Sequence, residues 1–167
     1  MEKYGYKIFF KGLINLFGEQ VELNHKYSVE GPLKWGGSSQ DGNGFHFCTY
    51  LEDCLVFLNN SINEEIDIAL VRASGDMIEY WNDYSGSYEM FVARNMEIVK
   101  VLSREEIINH ILTHNHLHTI EKFIRGYRLT EEEISIFKDR GLGVDHIEYH
   151  QYGHKDVFEK RLNKRFN

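Results

Sequence analysis

Residues 42–53 bring together the side chains best suited to chemistry in this chain: a glycine-rich turn, a short aromatic strand with one histidine and one cysteine, and a helix start. His46 stands between Phe45 and Phe47, so in a strand its side chain points away from the face that the two phenylalanines share. The adjacent Gly44 leaves room for a ligand to approach the backbone. We therefore predict that His46 and Gly44 bind a ligand, with His46 also a candidate catalytic residue. The alternative is a half-buried histidine bonded to a backbone carbonyl.

A second group of candidate residues combines acids with aromatic rings around a predicted turn: Asp83, Tyr84, Tyr88 and Glu89. Carboxylates placed beside aromatic rings can act as general acids or bases. We predict Asp83 and Tyr84 as ligand contacts. The competing interpretation is that both residues are simply typical of a turn. Glu89 opens a predicted strand and is the candidate catalytic acid.

Two histidine series with a spacing of four residues offer a third possibility, a metal site. The spacing places neighbouring histidines on one face of an unbroken helix, as two-histidine zinc sites require. A predicted helix junction interrupts the first series, a glycine interrupts the second, and no third ligand stands out. Solvated or inter-helix histidines are therefore the competing interpretation, and we assign no metal ligand. The histidines are His110, His114, His118, His146, His150 and His154.

The net charge of -7 lies entirely in the first part of the chain. Residues 1–102 hold 8 basic and 15 acidic residues, whereas residues 103–167 hold 11 of each. Affinity for nucleic acid depends on neutralising phosphates with lysine and arginine, so the composition argues against nucleic-acid binding. Four basic residues near residue 165 are an exception, but on a terminal helix they would complement the helix dipole.

The cysteines and the apolar pattern predict a cytoplasmic protein. Residues 1–6 carry charges and no apolar run, and no stretch approaches membrane-spanning length, so we expect no targeting peptide and no membrane partner. Cys48 and Cys54 are placed poorly for a structural disulfide, which favours free thiols in a reducing compartment over a redox pair. The sequence does not determine the oligomeric state, and it is compatible with a homo-oligomer.

Strand patterns dominate residues 1–102. Apolar alternation predicts strands at 4–11, within 21–29, at 45–48, 66–73, 77–81, 88–93 and 97–102. Residues 74–76 and 82–86 are predicted turns, residues 94–95 separate the last two strands, and residues 30–44 form a long loop. Thr49 and Glu52 fit a capping box before a helix of about ten residues.

Helical spacing replaces strand spacing after residue 102. Capping boxes at 103–106 and 130–133 introduce two helices, and an amphipathic helix is predicted at 117–127. Further helical turns are expected within 145–165. The prediction is an α+β chain, with a mainly antiparallel β-rich domain at 1–102 and a helical segment at 103–167 packed on it.

Several short motifs resemble a family of uncharacterised bacterial and phage proteins. They include Gly42-Asn-Gly-Phe-His46-x-Cys48, Leu51-Glu-Asp53, Leu102-Ser-Arg-Glu-Glu-Ile-Ile108 and Phe123-Ile-Arg-Gly-Tyr127, so the resemblance covers most of the chain. It implies a compact intracellular bacterial protein and no particular reaction.

The order of elements around His46 and Glu89 is also similar to that of ADP-ribosyltransferases. In that fold a Gly-x-aromatic-Phe strand precedes a helix, and a catalytic glutamate opens a later strand. The resemblance implies NAD as cofactor, with His46 beside the nicotinamide and Glu89 as the catalytic acid. That fold's opening strand supplies a His-Gly or Arg-Gly pair to hold NAD, where this chain has Lys11-Gly12.

Three functions follow as hypotheses. The first is a non-enzymatic binding or interaction module whose pocket lies near His46, taking an unidentified small ligand or protein. The second is an NAD-using enzyme of the ADP-ribosyltransferase type, for which NAD would be the cofactor. The third is a histidine-dependent metal-binding protein.

Overall fold

The fold is described from a computed structural model that covers residues 2–36, 42–54, 66–81, 89–113, 120, 123–124 and 127–139. These residues belong to two compact units. The described residues up to Ser103 form the first unit, and those from Arg104 onward form the second.

The first unit is an antiparallel sheet with one short helix, and the second is helical. The strands are β1 (Glu2–Phe10), β2 (Lys26–Ser28), β3 (Phe45–Cys48), β4 (Ile66–Trp81) and β5 (Glu89–Val101). The helices are α1 (Leu51–Cys54), α2 (Arg104–Thr113) and α3 (Glu131–Asp139). This arrangement confirms the predicted α+β class and the predicted strands β1, β2 and β3.

Four strands of the first unit close into a ring. The strand order is β2-β5-β3-β1-β4, and β4 pairs with β5 as well, so β5, β3, β1 and β4 each have two neighbours within the ring, and β2 pairs with β5 outside it. One hydrophobic cluster receives side chains from all four: Phe9, Phe47, Ala69, Val71, Ala73, Phe91 and Ala93. Because strand side chains alternate, these residues define an inner face and their neighbours an outer face.

Strand β4 corrects the predicted turn at residues 74–76. It runs unbroken for 16 residues. Its pairing with β5 continues past the predicted turn, with a shift of register between Ser74 and Met77. Gly75 has a φ of 85°, a conformation that glycine adopts at little cost. The turn-like composition therefore marks a bulge within a strand, where one extra residue is accommodated without reversing the chain.

Strand β5 corrects the predicted break at Arg94 and Asn95. It continues for 13 residues, with β4 on one edge and both β3 and β2 on the other. Both polar side chains bind residues of the neighbouring strand β4. Arg94 donates to Asp76, and the side-chain amide of Asn95 donates to the Ser74 carbonyl at 3.2 Å. Long-range pairing on two edges outweighs the weak strand propensity of these two residues.

The ring closes at a narrow seam between β1 and β3. In the described structure this seam has one register pair, Tyr6 with Cys48. Gly5 lies beside it, where a β-carbon would stand 2.3 Å from the Cys48 carbonyl oxygen and 2.5 Å from the Phe47 ring. The close approach of the two strands therefore requires glycine at position 5.

The start of α1 differs from the predicted capping box. The Thr49 hydroxyl is buried without a hydrogen-bond partner, and the Thr49 amide donates to the Glu89 carbonyl at 3.1 Å. Asp53 accepts a hydrogen bond from the Glu89 amide at 2.9 Å. Tertiary contacts with β5 therefore fix this helix start, and the capping-box prediction at Thr49 is wrong. The rest of the predicted ten-residue helix lies outside the described residues.

The second unit packs its helices through predicted apolar positions. Ile107, Ile108, Ile111 and Leu112 of α2 are buried, as are Ile134 and Phe137 of α3. Of the predicted helix at 117–127, the structure describes Ile120, Phe123, Ile124 and Tyr127. All four are buried; the first three are helical, whereas Tyr127 lies in a bend. The predicted helices within 145–165 lie outside the described residues.

The capping box of α3 is confirmed in both directions. The Glu133 amide donates to the Thr130 hydroxyl at 3.2 Å, and the Thr130 amide donates to the Glu133 carboxylate at 2.7 Å. Arg104 also binds that carboxylate, and hydrogen bonds from Arg104 and Thr130 lower the pKa of Glu133 although its burial would raise it. Glu133 thus ties the start of α3 to the start of α2.

Replacing Thr130 with alanine should destabilise the second unit by about 1 kcal/mol, because one amide of the first helical turn loses its acceptor. The helical circular-dichroism signal during urea unfolding measures this. Ser135→Ala is the matched control: Ser135 is exposed within α3 and alanine favours a helix there, so no loss is expected. Equal losses in the two variants would contradict a capping role.

Candidate functional site

Strand β3 places His46 on the outer face of the sheet. His46 pairs with Val92 and Cys48 with Met90, whereas Phe47 pairs with Phe91 on the inner face. The prediction that His46 points away from the phenylalanine face is therefore confirmed. The alternation leaves the histidine outside the main core, where other elements cover it.

His46 belongs to an aromatic cluster with Trp35 and Tyr80. The Trp35 and Tyr80 rings are stacked, with centroids 4.1 Å apart and planes within 2°. Trp35 meets His46 edge-on, with centroids 4.8 Å apart. All three residues are half-buried, so part of each side chain faces solvent. Aromatic contacts of this kind contribute about 1 kcal/mol each beyond burial and hold the rings in place.

The base of the glycine-rich loop fixes Trp35. Lys34 and Asn43 form a two-way backbone pair, with N–O distances of 2.9 and 3.1 Å. The Asn43 amide also donates to the Glu30 and Pro32 carbonyls. Gly44 has a φ of 131°, and a β-carbon there would meet Val92 at 2.4 Å. Gly44 therefore lets the chain enter β3 close against β5, rather than leaving open space for a ligand.

The His46 ring is neutral at physiological pH. Burial and then the charge of Lys7 lower its pKa to about 4, and a hydrogen bond with the Gly44 backbone opposes them. Its Nε2 atom is buried without a partner. The predicted alternative, a half-buried histidine bonded to the backbone, agrees with the hydrogen bond to Gly44. It does not account for Nε2, which is buried without a partner.

Lys7 bridges the seam next to this cluster. Its ammonium donates to the His46 carbonyl at 2.8 Å, beside the single pair between β1 and β3. A side-chain donor thus replaces a main-chain donor at a point where the strands do not pair. Burial lowers the pKa of Lys7, and the charges of Cys54 and Cys48 oppose that shift.

Glu89 does not share a face with His46. It opens β5 as predicted, but Glu89 alternates with Met90 and lies on the inner-face side, opposite Trp81 in the pairing of β4 with β5. Its carboxylate stands 3.6 Å from the Lys3 ammonium. The structure therefore does not bring the two predicted catalytic residues together, and they lack the direct contact that acid–base chemistry requires.

The remaining predicted ligand contacts are structural or undescribed. The Lys11 ammonium binds Asp67 at 2.9 Å, at the turn that follows β1. Asp83 and Tyr84 lie outside the described residues. Of the two histidine series only His110 is described, and the described residues contain no group of three histidine, cysteine or acidic side chains that could hold a metal.

Sequence reasoning missed Trp35, Tyr80 and Lys7. Trp35 stands in a loop and Tyr80 in a strand whose register the sequence does not reveal. Lys7 carried a usable signal, since a charge between Tyr6 and the apolar residues 8–10 calls for a specific partner.

Two clefts lie elsewhere. One, of about 170 Å³, is lined in the first unit by charged side chains including Arg72 and Glu97, which pair with each other. The other, of about 370 Å³, is an apolar groove in the second unit along Ile108, Leu112 and Ile136. The first is smaller than typical ligand pockets, and neither contains a residue of the aromatic cluster.

Comparisons of the chain with protein-family models, curated proteins and solved structures found no match. Among the described residues, no helix is long and apolar enough to cross a membrane. The two family resemblances seen in the sequence stay predictions.

Proposed function

We propose that the protein is a non-enzymatic binding module whose ligand docks on the aromatic cluster of Trp35, His46 and Tyr80. The observation that carries this proposal is the parallel Trp35–Tyr80 stack with His46 against its edge. Half-buried aromatic rings held rigidly combine large contact area with little entropy to lose on binding. Tryptophan and tyrosine are the residues that most often dominate binding interfaces.

The separation of His46 from Glu89 supports binding over acid–base chemistry. The Glu89 carboxylate is near Lys3, and the charge that acts on His46 is that of Lys7. A neutral imidazole beside the Trp35 ring offers apolar contact and hydrogen bonding. These properties suit recognition of a ligand more than proton transfer at neutral pH.

The cluster favours a ligand with a planar or apolar face. Such a face belongs to an aromatic small molecule or to an aromatic side chain of a protein partner. The net charge of -7 favours a neutral or cationic ligand over an anionic one. NAD belongs to the ADP-ribosyltransferase alternative and forms one arm of the test.

We place this module in the bacterial cytoplasm. Cys48 and Cys54 are both free although they belong to one buried cluster, which suits a reducing compartment. The resemblance to uncharacterised bacterial and phage proteins supports the same location.

The test titrates indole and NAD into the full chain. Isothermal titration calorimetry measures the binding, because free indole carries the same fluorophore as tryptophan and would mask the emission of Trp35. We expect indole to give a saturable heat of binding and Tyr80→Ala to abolish the response. Tyr4→Ala, which removes an exposed tyrosine of β1, should leave the response intact.

Two results would overturn the proposal. One is an indole response that is absent, or that persists in Tyr80→Ala. The other is NAD cleavage that disappears in Glu89→Gln, which would establish the enzyme alternative.

A further inference from the structure

Three sulfur-containing residues pack together on the outer face of the sheet beside the aromatic cluster. Cys48 of β3 is the register partner of Met90 of β5, and Cys54 of α1 belongs to the same buried cluster. The three residues are only 1–2% exposed. The Cys54 thiol donates to the Tyr6 carbonyl at 2.9 Å. We call Cys48, Cys54 and Met90 the sulfur cluster.

Ligand softness decides which ion such a group suits. Thiolate and thioether sulfur select soft ions, of which Cu(I) is the biological example, whereas calcium and magnesium need oxygen ligands. Structural zinc prefers four cysteine or histidine ligands. The described part of the chain has no group of three histidine, cysteine or acidic residues around a common point. Two thiols and one thioether therefore fit Cu(I) better than zinc.

A nitrogen donor lies next to the sulfur cluster. His46 shares the outer face with Cys48, two residues away, and its Nε2 is buried without a hydrogen-bond partner. Trp35 contacts the His46 ring and also packs against the sulfur cluster. The ring that carries the unpartnered nitrogen contacts Trp35, and the sulfur cluster packs against the same tryptophan.

We propose that Cys48, Cys54 and Met90 form a binding site for Cu(I), independent of the ligand proposed for the aromatic cluster. The two thiolates bind the ion, and the Met90 thioether supplies a third, weaker ligand. The proposal makes Met90 a metal ligand instead of a core residue alone.

The test is a competition for Cu(I) under anaerobic, reducing conditions. The full chain is titrated with the tetrakis(acetonitrile) salt of Cu(I) in the presence of the chelator bathocuproine disulfonate. We expect the protein to withhold about one equivalent of Cu(I), with both Cys48→Ser and Cys54→Ser abolishing retention. Met90→Leu should weaken retention by about tenfold or more, because even residues that only support a metal ligand contribute about tenfold or more to affinity.

Met96→Leu is the matched control. Met96 is as buried as Met90, at 2% exposure, but belongs to the inner cluster, so its replacement should not change Cu(I) affinity. Exchange of methionine for leucine nearly conserves volume, so both variants should fold, which tryptophan fluorescence checks. Failure to withhold Cu(I) from the chelator would overturn the proposal, and so would equal retention by Met90→Leu and Met96→Leu.

Discussion

Replacing Gly5 with alanine is expected to destabilise the first unit by about 3 kcal/mol, because the added methyl group has no space at the seam between β1 and β3. It would stand 2.3 Å from the Cys48 carbonyl oxygen, a backbone atom, and 2.5 Å from the Phe47 ring. Rotation of a side chain cannot relieve the first contact. The strands must separate, which breaks the Tyr6–Cys48 pair that closes the ring.

Urea unfolding followed by tryptophan fluorescence measures this loss, since both tryptophans of the chain belong to the first unit. Gly18→Ala is the control. Gly18 has a φ of 82°, but nothing lies within 4 Å of its β-carbon position. Its replacement carries only the backbone cost of about 1 kcal/mol. If Gly5→Ala lost no more stability than Gly18→Ala, the close approach at the seam would be wrong.

Replacing Asp67 with alanine should cost the first unit about 3 kcal/mol, because two backbone amides lose their acceptor. One carboxylate oxygen accepts from the Gly12 amide at 2.7 Å and the Leu13 amide at 3.1 Å, and the other binds the Lys11 ammonium. Gly12 and Leu13 both have positive φ values, of 84° and 58°. The carboxylate thus holds a strained turn in place.

The effect of Asp67 should depend on pH in a defined direction. Burial would raise the pKa of Asp67, but the hydrogen bonds from Lys11, Leu13 and Gly12 outweigh it and lower the pKa below the ordinary 3.8. The unfolded chain then binds the proton first as pH falls. The carboxylate's contribution is therefore complete above pH 3.8 and is lost as the pH falls through 3.8 toward the folded-state pKa.

The measurement compares wild type with Asp67→Ala in urea unfolding across acidic pH. We expect the gap between them to be constant near neutrality and to shrink in acid. Asp76→Ala is the control, since the Asp76 side chain is 77% exposed and its ion pair with Arg94 should contribute less than about 1 kcal/mol. A gap for Asp67→Ala that widens in acid would contradict the assigned role.

The sequence predicted those parts of the fold that depend on interactions between residues close together in the chain. The alternation in β1 and β3 and the helical spacing of α2 and α3 are properties of neighbouring residues. The capping box at Thr130 and Glu133 is likewise a contact over three residues, and it forms as predicted. The outward direction of His46 followed from the two phenylalanines beside it.

Prediction failed where distant strands decided the outcome. Gly75 and the Arg94-Asn95 pair have turn composition, yet pairing of β4 with β5 carries both strands through them. Thr49 fits a capping box, yet its amide binds Glu89, which is forty residues away in sequence. In each case hydrogen bonds between distant segments outweighed a local preference worth about 1 kcal/mol or less.

The candidate site divides in the same way. The sequence alone determined the α+β class, the acidic first part of the chain and the strand that carries His46. Only the tertiary structure decided that His46 joins Trp35 and Tyr80, that Glu89 lies on the other face, and that Lys7 spans the seam. The reason is that register between strands fixes which residues share a face, and a shift of one residue moves a side chain to the opposite side.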